Sequence, residues 1–217
     1  MSDAGYATPL QPNADANQYN AIAFIVQSLV GKMATFTLVE VMSVTNDGGV
    51  SPVGTVSVKP CVNQVDGALN GTPHGTIFNL PYVRVQGGAK AIILDPEVGD
   101  IGVAGFCSTD TSVVRSTGAA ANPGSRRRFD WADGVYIGLS VSQTTPTDYV
   151  QFAPTGITIV SGGTITLQGT NTVAVVGDLT VSGSIVATGE VTGNGIDLST
   201  HVHSGVTTGS GDTGAPV

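Results

Sequence analysis

Apolar residues fall in three different rhythms along this chain. In the first, Tyr19, Ile22, Val26, Leu29 and Met33 recur at steps of three and four, the spacing that lines one face of an α-helix. Asp15 followed by Gln18 reads as a capping box, with Asp in place of Ser or Thr, and Gly31 marks the helix end. From about 33 to 115 the rhythm shortens to β-rich runs, FTLVEVMSV, VGTVSVKPCV, TIFNLPYVRVQ, KAIILD and DIGVAGFC. Turn-forming NDGG, NQVDG, GTPHG and DPEVG separate them. Five such runs predict a small closed barrel, and the OB-fold is the natural candidate.

The third rhythm starts near residue 149, where Ile157 and Ile159, Ile165 and Leu167, and Val173 and Val175 alternate with Thr or small residues. Strands with one apolar face follow. The spacing then settles into a register of six. Val173, Leu179, Ile185 and Val191 share one phase, Val175, Val181, Ala187 and Gly193 a second, and Gly177, Gly183, Gly189 and Gly195 a third. A fixed period predicts a solenoid. A single-chain hexapeptide β-helix uses about eighteen residues per coil and needs at least three coils, whereas four hexads make little more than one. Three chains that each supply one wall would complete every turn, so the length predicts an intertwined trimeric β-helix. Its second phase shrinks from Val to Ala to Gly, which predicts a taper toward the C-terminus.

The expected organisation is therefore mainly β: 1–32 an N-terminal arm and helix, 33–115 the OB-fold barrel, 116–148 a neck, 149–197 the β-helix, and 198–217 the apex. Within the neck, Arg126, Arg127 and Arg128 carry three of the eight positive charges and read as a linker pinned to acidic neighbouring chains. Asp130 and Asp133 read as turn residues rather than a catalytic carboxylate pair.

Charge narrows the function. The net charge of −8 argues against electrostatic binding of nucleic acid or anionic membrane. The longest apolar run, AIAFIV, is too short to span a bilayer, and no secretory leader is recognised at the start. Cys61 and Cys107 cannot build a disulfide framework; they read as small buried hydrophobes of a protein made in a reducing cytoplasm.

Two of the three histidines, His201 and His203, stand one residue apart in STHVHSGV near the C-terminus. On an isolated polar tail such a pair is surface decoration. On a tapering trimer, positions i and i+2 face the same way, toward the axis, and three chains bring six imidazoles to one point. That donor set is octahedral, unlike four-coordinate structural zinc, and leans toward iron or nickel. Six buried, unpaired histidines would be costly.

LSTHVHSGVTTGSGDTGAPV resembles the apex of the central spike proteins of contractile-tail phage baseplates. DPEVGDIGVAGFCSTD resembles the OB-domain signature of these spikes, and PGSRRRFDWADGVYIG their neck. The resemblance implies a homotrimer with one iron ion at the apex, held by His201 and His203 of each chain. Val202 departs from the small or polar residue often found between them and faces away from the axis. It also implies a virion protein of the tail baseplate tip, synthesised in the host cytoplasm. Docked on the tail hub by its barrel, it would puncture the host outer membrane when the sheath contracts. Larger relatives carry a lysozyme domain; here the stretch between barrel and β-helix is too short for one, so no enzymatic activity is expected.

Tailocins and type VI secretion systems use related spikes, and either is an alternative setting. A metalloenzyme is the less favoured alternative, because six histidines leave no open coordination position. An OB-fold nucleic-acid binder needs a basic groove with stacking aromatics, yet 33–115 holds four unclustered Lys or Arg. His74, in GTPHG, reads as a turn residue.

Overall fold

A computed structural model of the chain describes residues 17–65, 70–138, 141, 144–205, 207 and 209; Asp15 and the end of the expected apex lie outside the described residues. The chain divides into two compact units, Met1–Pro146 and Thr147–Val217. Helix α1 spans Gln18–Val30. Its N-cap is Asn17, whose side-chain oxygen accepts from the Asn20 N–H at 2.9 Å, and Gly31 caps its C-terminus. The apolar row Tyr19, Ile22, Val26 and Leu29 remains exposed in the single chain.

The strands of the first unit are β1 (Phe36–Val44), β2 (Thr55–Pro60), β3 (Gln64–Val65), β4 (Gly71–Thr72), β5 (Ile77–Pro81), β6 (Val85–Gly87), β7 (Lys90–Ile92), β8 (Ile101–Phe106) and β9 (Gly134–Gly138). β5, β2, β1, β8 and β9 make a five-stranded antiparallel sheet in that order. The sheet curls until its two outer strands meet, where Tyr82 bridges Tyr136 and the Val83 N–H donates to the Tyr136 carbonyl at 2.9 Å. β3–β4 and β6–β7 are separate two-stranded ribbons.

Alternation along the strands fills the concave face. Val39 and Val41 of β1, Val56 and Val58 of β2, Leu80 of β5 and Ala104 of β8 are essentially inaccessible, with Tyr82, Phe106 and Tyr136 packed among them. Gly134 lies against this core. A Cβ placed there would stand 2.6 Å from the Phe106 ring and 3.0 Å from Leu80, so close packing requires its hydrogen. β9 comes from the stretch read as neck, and it pairs with β8 at the edge of the barrel sheet. The cysteines differ from expectation. Cys61 is exposed and Cys107 half-buried; Cys61 follows the last residue of β2, where the chain leaves the sheet.

The second unit has a different character. Strands β10 (Tyr149–Ala153) and β11 (Gly156–Val160) form a hairpin, closed at its base by Asp148. The Asp148 carboxylate accepts from Ser161 Oγ at 2.8 Å and from the Gly162 N–H at 2.9 Å, and these bonds hold its pKa below the usual range. From 161 to 191 the described chain makes no ladder with itself. Strands β12 (Thr192–Gly193) and β13 (Ile196–Asp197) follow. No described residue of this unit is buried: Ile157, Ile165, Leu167, Val173, Leu179, Ile185 and Val191 all stay exposed. The hexad rhythm therefore marks an apolar face that one chain leaves uncovered.

Candidate functional site

The tip is built on a tight hairpin. Asn194 and Gly195 both have positive φ, 52° and 78°, and join β12 to β13 with Gly193 opposite Ile196. Two left-handed residues in a two-residue loop are the signature of a type I′ turn, for which Asn-Gly is the preferred pair. The Leu198 N–H donates to the Val191 carbonyl at 2.9 Å, and Thr192 Oγ1 donates to Asp197 at 2.6 Å.

Glu190 fastens the base of this hairpin. Its Oε1 accepts from the Val191 N–H at 3.2 Å and from the Ser199 N–H at 3.0 Å, and its Oε2 accepts from Ser199 Oγ. The Ser199 hydroxyl, and then backbone donors, favour the carboxylate and lower the Glu190 pKa.

His201 and His203 leave this turn side by side, both exposed, with ring centroids 5.1 Å apart and ring planes at 78°. The two rings touch edge to face, on a backbone that is irregular rather than the strand expected. The His201 N–H donates to the Asp197 carbonyl at 3.1 Å. His201 Nδ1 lies 2.8 Å from the Leu198 carbonyl. A carbonyl only accepts, so Nδ1 carries a proton, and in the neutral ring that leaves the lone pair on Nε2. A backbone carbonyl on one ring nitrogen is the usual arrangement behind a metal-bound imidazole. The donor set thus fits a metal. Among the described residues of one chain no three His, Cys, Asp or Glu converge.

The neck arginines resolve unequally. Arg127 donates through Nε to Asp133 at 2.5 Å and through an Nη to Asp110 at 2.8 Å, and both carboxylates are buried. Its partners belong to its own chain, which corrects the expectation of neighbouring chains: a short helix, α2 (Ser112–Thr117), and the turn Trp131–Asp133 bring both carboxylates beside it. Thr111 adds two bonds to Asp133. Hydrogen bonds from Ser112 and Ser125, with Arg127 nearby, hold Asp110 at about 2, and Arg127 lowers Asp133. Asp130 caps the Trp131 turn through the Ala132 N–H. His74, in irregular backbone before β5, packs against Trp131 with ring centroids 5.4 Å apart and planes tilted by 52°.

A second buried pair, Arg84 with Asp95 at 2.6 Å, is completed by Tyr82 and by the Ser51 carbonyl and braces loops of the first unit. Sequence reasoning missed this pair and Glu190; Asn194-Gly195 was a legible hairpin signal hidden by the six-residue register.

No curated protein matches the chain. Its C-terminal residues 195–217, which contain both tip histidines, match the family model described as the GpV Apex motif, a motif typical of phage baseplate central spike proteins.

Proposed function

We propose that this protein is the central spike of a contractile-tail phage baseplate: a homotrimeric, non-catalytic needle that pierces the host outer membrane when the sheath contracts. The carrying observation is a coincidence of place. The segment matching the apex motif contains the two adjacent imidazoles, and it ends a unit in which no described residue is buried in one chain. Three chains placed around an axis cover those rows mutually, as an intertwined β-helix, and bring three histidine pairs together. Low charge, 11% of residues, suits a body that must enter a bilayer. The curled sheet of the first unit is read as an OB-type barrel that docks the spike on the tail hub, and the protein belongs in the virion tail.

His201 and His203 of each chain would hold one iron ion. When bound, the ion ties three chain ends with short directional bonds where apolar surface is scarce. The chain's own contribution is to aim the rings and fix the protonation of His201. Ligation uses neutral imidazole, so acid should release the metal.

The test measures mass and metal on the full-length protein. Light scattering should give three times the 21.8 kDa of one chain, and elemental analysis one iron per three chains. Replacing His201 and His203 with Ala should abolish metal content while leaving the first unit folded. A stable folded monomer overturns the trimer, and a metal-free native protein overturns the metal tip.

A further inference from the structure

We propose that Glu190 is a positioning residue for the histidine pair: its carboxylate fixes the Leu198–Ser199 turn, and that turn fixes the proton and the aim of His201. The inference rests on the metal reading above for its purpose, but the geometry can be tested without metal.

Glu190 is the only glutamate beyond Glu97, and it stands where the hexads end, directly after Gly189. One carboxylate gathers three donors, two of them from Ser199. Ser199 is adjacent to Leu198, whose N–H is held by Val191 and whose carbonyl holds His201 Nδ1. Each link constrains the next: the carboxylate seats the Ser199 peptide, the Leu198 carbonyl is part of that peptide unit, and the carbonyl decides which ring nitrogen is protonated. Without it, an exposed imidazole chooses its tautomer and rotamer freely, and Nε2 is presented only part of the time. A ligand competent for a fraction of the time binds more weakly by that fraction. Val202 and the hairpin turn do not supply this restraint, because neither makes a bond to a histidine ring among the described residues.

The experiment compares the full-length protein with Glu190→Ala and Glu190→Gln. The first readout is metal-free: nitrogen NMR of the histidine rings above their titration reports the tautomer of His201. The native protein should hold the Nδ1-protonated form, Glu190→Ala should lose that bias, and Glu190→Gln, which keeps an acceptor oxygen, should restore part of it. The second is cobalt(II) titration, where Glu190→Ala should weaken binding, by at most the roughly ten- to hundredfold that loss of a direct outer-shell partner costs. Native-like tautomer and cobalt affinity in both variants would overturn the proposal. Failure of the native protein to take up cobalt, with the tautomer still dependent on Glu190, would leave the positioning role and remove the metal reading. If Glu190→Ala does not fold, Glu190→Gln decides alone, and an unchanged tautomer there counts against the role.

Discussion

Replacing Asp133 with Asn changes one atom in a buried cluster and tests whether Arg127 latches the stretch read as neck to the curled sheet. The side chain is 1% exposed, and its two oxygens accept four bonds: from the Thr111 N–H at 2.8 Å, Thr111 Oγ1 at 3.0 Å, and Arg127 Nη and Nε at 2.9 and 2.5 Å. An Asn amide nitrogen must face either Thr111 or the guanidinium, both donors, so at least one bond is replaced by a donor–donor contact. A hydrogen bond to a charged group contributes about 1.5–3 kcal/mol. Arg127 is one-third exposed and keeps part of its hydration, so the expected cost of the Asp133 change is about 2 kcal/mol, at the lower part of that range. For a unit of this size that lowers the melting temperature by roughly 4–8 °C. Trp131, the single tryptophan, lies two residues away and packs edge-on against Phe106 at 4.8 Å, so its fluorescence during heating reads this region directly. Arg126→Ser is the control. Arg126 makes no ion pair among the described residues, and its loss should cost less than about 0.5 kcal/mol. A native-like melt for Asp133→Asn, or an equal loss in the control, refutes the latch.

Two further outcomes follow from the same unit. Asp110, held at about 2, and Asp133, also lowered, each have folded pKa values below the unfolded value of about 3.9; their contribution is complete above that value and is lost as pH falls toward 2. Acid titration followed by Trp131 fluorescence should show this loss, shallower in Asp133→Asn; equal slopes would count against it. Gly134→Ala has an ordinary backbone angle, φ −77°, so its whole effect is the clash with Phe106 and Leu80. It should cost about 1–3 kcal/mol in chemical denaturation, and a neutral result would mean the core yields there.

Four of the five β runs were legible because their strands bury one face in the curled sheet of their own chain, whereas KAIILD gives the exposed β7 of a separate ribbon and the fifth place in the sheet goes to β9. FTLVEVMSV became β1 residue for residue, and Val39 and Val41 are the inward positions its alternation requires. The helix was legible from its apolar period although that row stays exposed in one chain, and its cap is Asn17, which accepts from the Asn20 N–H, while Asp15 lies outside the described residues. β9 was hidden in the neck stretch because GVYIG is bounded by glycines, of which Gly134 serves packing and Gly138 a positive φ. In the C-terminal unit the apolar rhythm was legible while its partners were not, since residues 161–191 form no strand ladder within one chain. At the tip the two histidines announced themselves by type and spacing. Glu190 did not, because its role depends on a turn that brings Ser199 back to it across nine residues.

The coreless second unit also bears on how the protein is made. No charged residue lies between Asp148 and Asp178, and that stretch alternates Val, Ile and Thr. A newly synthesised chain therefore exposes long, uncharged, β-favouring segments of the kind that stack with one another. On the proposed reading, correct association competes with random aggregation, and both accelerate with concentration. Asp148 and Asp178 then act as gatekeepers, interrupting the sticky segment at each end. Yield should depend on how quickly three chains find one another, so slow, cool synthesis with co-translational proximity favours the needle over the precipitate.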